Sequence, residues 1–292
     1  MIKLFQAQPG PVIAGTQDIA GHTLKFLAQG DSWFSFGALI PWATGNLLDG
    51  VALNQDACAV NCARPGKELV HMVDSRRDPE FINLLLGRVA WAWDGILLSG
   101  GGNDLIDAIQ TPPVDASGKP VPPELRILLT QAERGTDPLP NAADYLSPTG
   151  WATFETHLVA QFHEFVATRD DPRSQCQGKP IFLHSYDFIM PRNAGAGLNF
   201  GPWLYPAMQQ YGIAPAQWFD LSKYLLSQLS AVLLQLNLPA VYVAQTQGTC
   251  IPAAAGSTGN SNDYENEIHP NPGGYAKLGV VYSQLINQTL GL

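Results

Sequence analysis

Charge is scarce in this sequence: only 14% of its 292 residues are Asp, Glu, Lys or Arg, against 46% that are hydrophobic. That shortage excludes a chain held open by its own repulsion and leaves ample material for a buried core. Basic residues are the scarcer kind, 16 against 25 acidic, for a formal net charge of −9. Nucleic-acid backbones and anionic membranes need basic patches, so neither is expected as the main partner. Cysteine is rare as well. The four present (Cys58, Cys62, Cys176 and Cys250) show no metal-site spacing. Cys58 and Cys62 share one expected strand, roughly 13 Å apart at about 3.3 Å per residue, too far for a disulfide. Reduced, structural thiols are expected.

Long apolar runs are missing too. Nothing approaches the roughly 20 apolar residues of a membrane-spanning helix. The opening MIKLFQAQPGPVIAG carries an early lysine, but Gln6, Gln8 and Pro9 break it before it reaches signal-peptide length. A cytoplasmic protein is expected, with leaderless export as the alternative.

What is present is a series of short apolar runs separated by helix-length segments. Residues 23–28 (TLKFLA), 57–63 (ACAVNCA), 94–99 (DGILLS), 180–186 (PIFLHSY) and 240–245 (AVYVAQ) read as about five strands. Their hydrophobicity is continuous rather than alternating, the pattern of strands buried on both faces in a parallel sheet. Helical spacing runs through 152–169 and 216–236. A last helix begins at Asn271-Pro272, an N-cap followed by proline at the first helical position. The expected fold is a single α/β domain over residues 1–292, a three-layer α/β/α sandwich. Residues 111–150 hold eight prolines and little periodicity, and read as an insertion that caps one end of the sheet.

Four polar clusters follow these runs, where strand-to-helix loops usually carry ligands. Gly30-Asp31-Ser32-Trp33 places a serine hydroxyl directly after a strand. Asn61-Cys62-Ala63-Arg64-Pro65-Gly66 offers a glycine N–H. Gly101-Gly102-Asn103-Asp104 offers a side-chain amide and close backbone approach, donors that suit a developing oxyanion. A dinucleotide loop is the rival there, but Leu105 stands where GxGxxG needs its third glycine. Last, in Asn266-Glu267-Ile268-His269-Pro270-Asn271-Pro272, two prolines fix the chain after His269. Of the other histidines, His157 and His163 sit on a predicted helix, and His22 and His71 lack supporting context. His184 follows a strand and either lines a pocket or satisfies backbone groups.

In order and spacing, GDSW, NCARPG, GGND and IHPNP resemble the nucleophile, glycine, asparagine and histidine blocks of the SGNH (GDSL-like) hydrolase family, over nearly the whole chain. The resemblance implies a flavodoxin-like sheet with an open site and a carboxylic ester hydrolase, esterase or lipase. It implies Ser32 as nucleophile, His269 as base, and an oxyanion hole from the N–H groups of Ser32 and Gly66 and the side chain of Asn103. No cofactor or metal is implied. The substrate would be a small-molecule, lipid or sugar ester. Ser32 lies outside any GxSxG elbow, which disfavours the ordinary α/β-hydrolase fold.

One position departs from the pattern. The family usually has Asp three residues before the histidine, and here that residue is Asn266. Three explanations compete: Asn266 orients a Ser–His dyad, another acid serves (Glu267, Asp263 or Asp187), or the site is slow. A catalytically weakened carbohydrate- or lipid-binding module on the same fold is the alternative function. Trp33, Phe34 and Phe36 are either an apolar wall beside the nucleophile or ordinary core.

Overall fold

The computed structural model describes residues 1–35, 45–135, 138–197 and 200–292. Six parallel strands form its centre: β1 (Phe5–Ala7), β2 (Leu24–Gly30), β3 (Ala57–Asn61), β4 (Gly95–Ser99), β5 (Ile181–His184) and β6 (Val241–Ala244). Their order across the sheet is β1-β3-β2-β4-β5-β6. Strands β2 to β6 follow the flavodoxin-like 2-1-3-4-5 order. The three-residue β1 is an added edge strand that the apolar pattern does not signal, paired with β3 from Phe5↔Cys58 to Ala7↔Val60. Ile2–Lys3 and Ala52–Leu53 form a separate antiparallel ribbon.

Alternation along the strands sends side chains to two helical layers. From β2, Phe26 meets Phe182 edge-on, while Gln29 points the other way and donates to the carbonyl of Met72. On the Phe182 side lies the last helix, whose Tyr282 hydroxyl donates to the Phe182 carbonyl at 2.6 Å. The layers include α1 (Ser32–Ser35), α2 (Gly102–Gln110), α3 (Pro148–Arg169), α4 (Leu204–Gln210), α5 (Trp218–Leu234) and α6 (Pro272–Leu290), with further helical segments such as Pro79–Leu86 between them. One continuous apolar cluster joins both layers to the sheet. The four cysteines are free and buried. No helix of the described residues is long and apolar enough to cross a membrane.

The proline-rich 111–150 segment folds into short turns, Pro123–Leu125 and Ala142–Tyr145, that pack on α3 and α5. It lies against the helices, and none of its described residues lines the crevice beside Ser32.

Helix α6 matters most for the site because its N-cap, Asn271, follows His269 by two residues; the Asn271 side chain accepts from the Gly274 N–H at 3.0 Å. The helix docks through a backbone-to-backbone contact. A Cβ on Gly279 would fall inside the main chain of Gly50. Gly279→Ala should therefore cost about 1 to 3 kcal/mol of stability, as overpacking generally does. Urea unfolding measures it, and an unchanged midpoint would contradict this docking.

Candidate active site

Strand β2 ends at Gly30 because the chain there passes hard against β4. A Cβ on Gly30 would stand 2.8 Å from the Ser99 Cβ and 2.9 Å from the Ser99 carbonyl oxygen. The turn that follows is held by Asp31, whose carboxylate accepts from the Trp33 N–H at 2.9 Å while its own N–H donates to the Ser99 carbonyl. This sets Ser32 at the first position of α1, 5% exposed. The Ser32 hydroxyl lies 2.7 Å from Nε2 of His269, across 237 positions of sequence.

The other imidazole nitrogen, Nδ1, lies 2.9 Å from Oδ1 of Asn266. The same oxygen accepts from the backbone N–H groups of Ile268 (3.1 Å) and His269 (3.0 Å). These two backbone N–H donors on one atom fix which way the amide faces, since a flipped NH2 would meet them with hydrogens. Nδ1 therefore carries the ring proton and donates to Asn266, leaving the Nε2 lone pair to accept the Ser32 hydroxyl. Asn266 Nδ2 is buried and has no hydrogen-bond partner. Burial pushes the His269 pKa down to about 3, so the ring is neutral at ordinary pH.

Asn103, near the start of α2, is 9% exposed and donates from Nδ2 to the Lys67 carbonyl at 3.2 Å. One of its two amide hydrogens is thus spent on orientation. Gly66, next to Lys67, adopts the left-handed conformation at φ 72° on an exposed turn. That turn runs beside Ser32, because the Cys62 and Arg64 N–H groups donate to the Ala28 and Gly30 carbonyls of β2. Between Ser32 and Asn103 opens a narrow crevice. Its walls are mainly apolar, with Leu105, Ile106 and Ile109 of α2 facing Leu225 and Leu226 of α5. Trp33 lines it, whereas Phe34 is core, packed on His184 and Tyr282. Phe36 lies outside the described residues.

The three carboxylates considered as a substitute acid are all engaged elsewhere, and this corrects that expectation. Glu267 accepts from the N–H groups of Arg192 (3.0 Å), Leu204 (3.0 Å), Tyr205 (2.7 Å) and Trp203, so it caps α4. Burial pushes its pKa up to about 7 against the pull of these donors. Asp263 accepts from the Ile251 N–H and pairs with Lys277. Asp187 lines the crevice, but its oxygens accept from the N–H groups of Phe188, Gly248 and Cys250. Nδ1 of His269 faces the amide of Asn266 instead.

His184 is fully buried beneath the site, where it accepts from the Tyr186 N–H at 3.2 Å and donates to Ser99 Oγ at 2.9 Å. Ser99 Oγ and the Tyr186 hydroxyl in turn donate to Asp31, at 2.7 and 2.5 Å. Burial lifts the Asp31 pKa to about 6, opposed by these donors. Sequence reasoning does not find Ser99 or Tyr186, since a serine closing a strand and a tyrosine after one are ordinary residues. Nor does it find Trp203, whose ring stands edge-to-face with His269 at 5.2 Å.

These surroundings give His269 a measurable signature. Its ring nitrogens, followed by NMR, should report the neutral Nδ1–H form from pH 8 down to about pH 4, because desolvation disfavours the imidazolium. Asn266→Asp should raise the midpoint by about 1 to 3 pH units, the usual effect of an adjacent opposite charge. A natural-protein midpoint near the ordinary 6.5 would contradict the burial argument.

No family model and no curated protein matches the chain. Among solved structures, the chain is similar to an extracellular lipase from Streptomyces rimosus at 12% identity, covering 91% of this chain and 99% of that one with a TM-score of 0.44. It is similar to the M. smegmatis aryl esterase at 11% identity, covering 91% and 99% with a TM-score of 0.45. A carbohydrate acetylesterase family member from Sinorhizobium meliloti is similar at 13% identity, covering 92% and 100% with a TM-score of 0.44.

Proposed function

We propose that this chain is a serine hydrolase cleaving carboxylic esters through a Ser32–His269 dyad. The observation that carries the reading is the 2.7 Å contact between the Ser32 hydroxyl and Nε2 of His269, with the ring's other nitrogen held by Asn266 at 2.9 Å. A neutral imidazole with its lone pair on the serine is the arrangement that general-base activation of a hydroxyl needs.

In the reaction, His269 Nε2 takes the Ser32 proton as the oxygen attacks the ester carbonyl. The carbonyl oxygen becomes an oxyanion, held by the second Asn103 amide hydrogen and the N–H groups of Gly66 and Ser32. His269 returns the proton to the leaving alcohol, and the acyl group stays on Ser32. Water then attacks the acyl-enzyme by the same route and frees the acid. The apolar walls from α2 and α5 suit an acyl chain better than a charged group. Asn266 keeps the productive tautomer but supplies no charge to the imidazolium. In serine proteases an Asp-to-Asn change in this role costs about 10⁴ in turnover, largely through the wrong tautomer. The convergence of three donors on Asn266 Oδ1 avoids that part of the loss.

The second reading, a carbohydrate- or lipid-binding module with a weakened site, is favoured by Asn266 alone. A p-nitrophenyl ester series of increasing acyl length separates the two. Hydrolysis should be measurable and depend on chain length, Ser32→Ala should reduce it to background, and Asn103→Ala should lower kcat by about 10² to 10³. Turnover unchanged in Ser32→Ala would refute the hydrolase reading.

A further inference from the structure

Gly66 and Asn103 sit on different elements; the turn is bonded to β2 ahead of Gly66, through the Cys62 and Arg64 N–H groups, while Gly66 itself faces open space. Two groups that must grip one oxyanion need a common anchor. Lys67 is placed to be that anchor. Its ammonium is buried, with the side chain 8% exposed, and pairs with the fully buried carboxylate of Asp78. It also donates to Gln29 Oε1 at 2.8 Å and to the Cys62 carbonyl at 3.0 Å, which accounts for all three of its N–H donors. Gln29 belongs to β2, three residues before Ser32, and its Nε2 donates to Asp78 at 2.7 Å. Its Oε1 also accepts from the Gly30 N–H at 2.9 Å. The side chain of Lys67 thus ties the Gly66 turn to the strand that carries the nucleophile.

The main chain of Lys67 makes the second tie. Its carbonyl accepts from Asn103 Nδ2, and two residues on, the Leu69 N–H donates to the Asp104 carboxylate at 3.1 Å. The start of α2 is therefore stitched to the same turn. One residue links the nucleophile strand, the glycine N–H and the asparagine amide.

We propose that Lys67, anchored by Asp78 and Gln29, is the positioning residue of the oxyanion hole, fixing the Gly66 turn and the Asn103 amide relative to Ser32. The inference rests on the ester-hydrolase reading. Burying an ion pair is a poor way to gain stability, because an apolar pair of similar size often holds a fold equally well. What an ion pair also hydrogen-bonded to Gln29 and the Cys62 carbonyl provides is a single orientation.

The test uses the full chain with a p-nitrophenyl ester, comparing Lys67→Met, the apolar double variant Lys67→Met/Asp78→Leu, and Asp78→Asn, which keeps the volume of Asp78. Lys67→Met leaves Asp78 unpaired and should lose both stability and turnover. The double variant should regain urea stability, yet kcat should stay about 10-fold to 100-fold low, the scale set by misplacing a reacting geometry. Its KM should stay within about 2-fold, since ground-state contacts in the crevice are untouched. If the double variant fails to fold, Asp78→Asn should show the same split of kcat from KM. Adding Asn103→Ala to the altered background should cost far less than it costs in the natural protein, a non-additivity that a purely structural role would not produce. Recovery of kcat along with stability, or a full undiminished cost for Asn103→Ala, would overturn the inference. Ester turnover that survives Ser32→Ala would instead remove the reading beneath it.

Discussion

The contact between the Ser32 hydroxyl and the His269 ring is the constraint to which the rest of the structure answers. Because every strand of the sheet runs the same way, all strand-to-helix loops emerge at one edge. Ser32 follows β2, which lies inside the sheet, and Gly66 and Asn103 follow its immediate neighbours, β3 and β4. Those three need no special transport. The histidine does, because it follows β6 on the far edge, and residues 245–268 must carry it back across two strands. Charged side chains hold the main chain along this return path. Asp187 takes the Gly248 and Cys250 N–H groups, Asp263 takes that of Ile251, and Glu267 caps α4. Arg192 donates to the Ser257 and Gly259 carbonyls and, at 2.6 Å, to that of Asn266. A long loop has many main-chain groups to satisfy and few secondary-structure bonds to satisfy them with, so side chains take over.

Electrostatics at the site favours neutrality. The His269 ring is buried, faces an amide, and stands edge-to-face with Trp203. In the proposed reaction such a ring is ready to take a proton at low pH, and the Asn266 amide gives it no countercharge. The proposed reaction then places the stabilisation on the oxyanion side, where preorganised N–H donors act without solvent reorganisation. The buried Lys67–Asp78 pair lies beside the Gly66 turn and the Asn103 amide, and the Asp31–Ser99–Tyr186–His184 network lies beneath Ser32.

Much of this was legible in the residues. Five strands, the long helices α3, α5 and α6, and the capping Asn271 all follow from continuous apolar runs, helical spacing and a cap followed by proline. Ser32, Asn103 and His269 were legible because each stands in a short polar cluster after a strand or before a helix. Strand β1 was not, because three residues ending just before Pro9 carry too little pattern. The fates of Glu267, Asp263 and Asp187 were not legible either. A carboxylate that feeds backbone N–H groups looks the same in sequence as one that feeds an imidazole. Lys67 carries no signal in the sequence, because Asp78 and Gln29, which surround it, are distant in the chain.

The most direct measurement is covalent trapping with a fluorophosphonate, followed by peptide mapping in a mass spectrometer. An activated serine predicts one phosphonyl adduct, on the peptide containing Ser32, formed much more slowly in His269→Ala. No adduct at Ser32, or labelling at the same rate without His269, would contradict the activation of this hydroxyl by this ring.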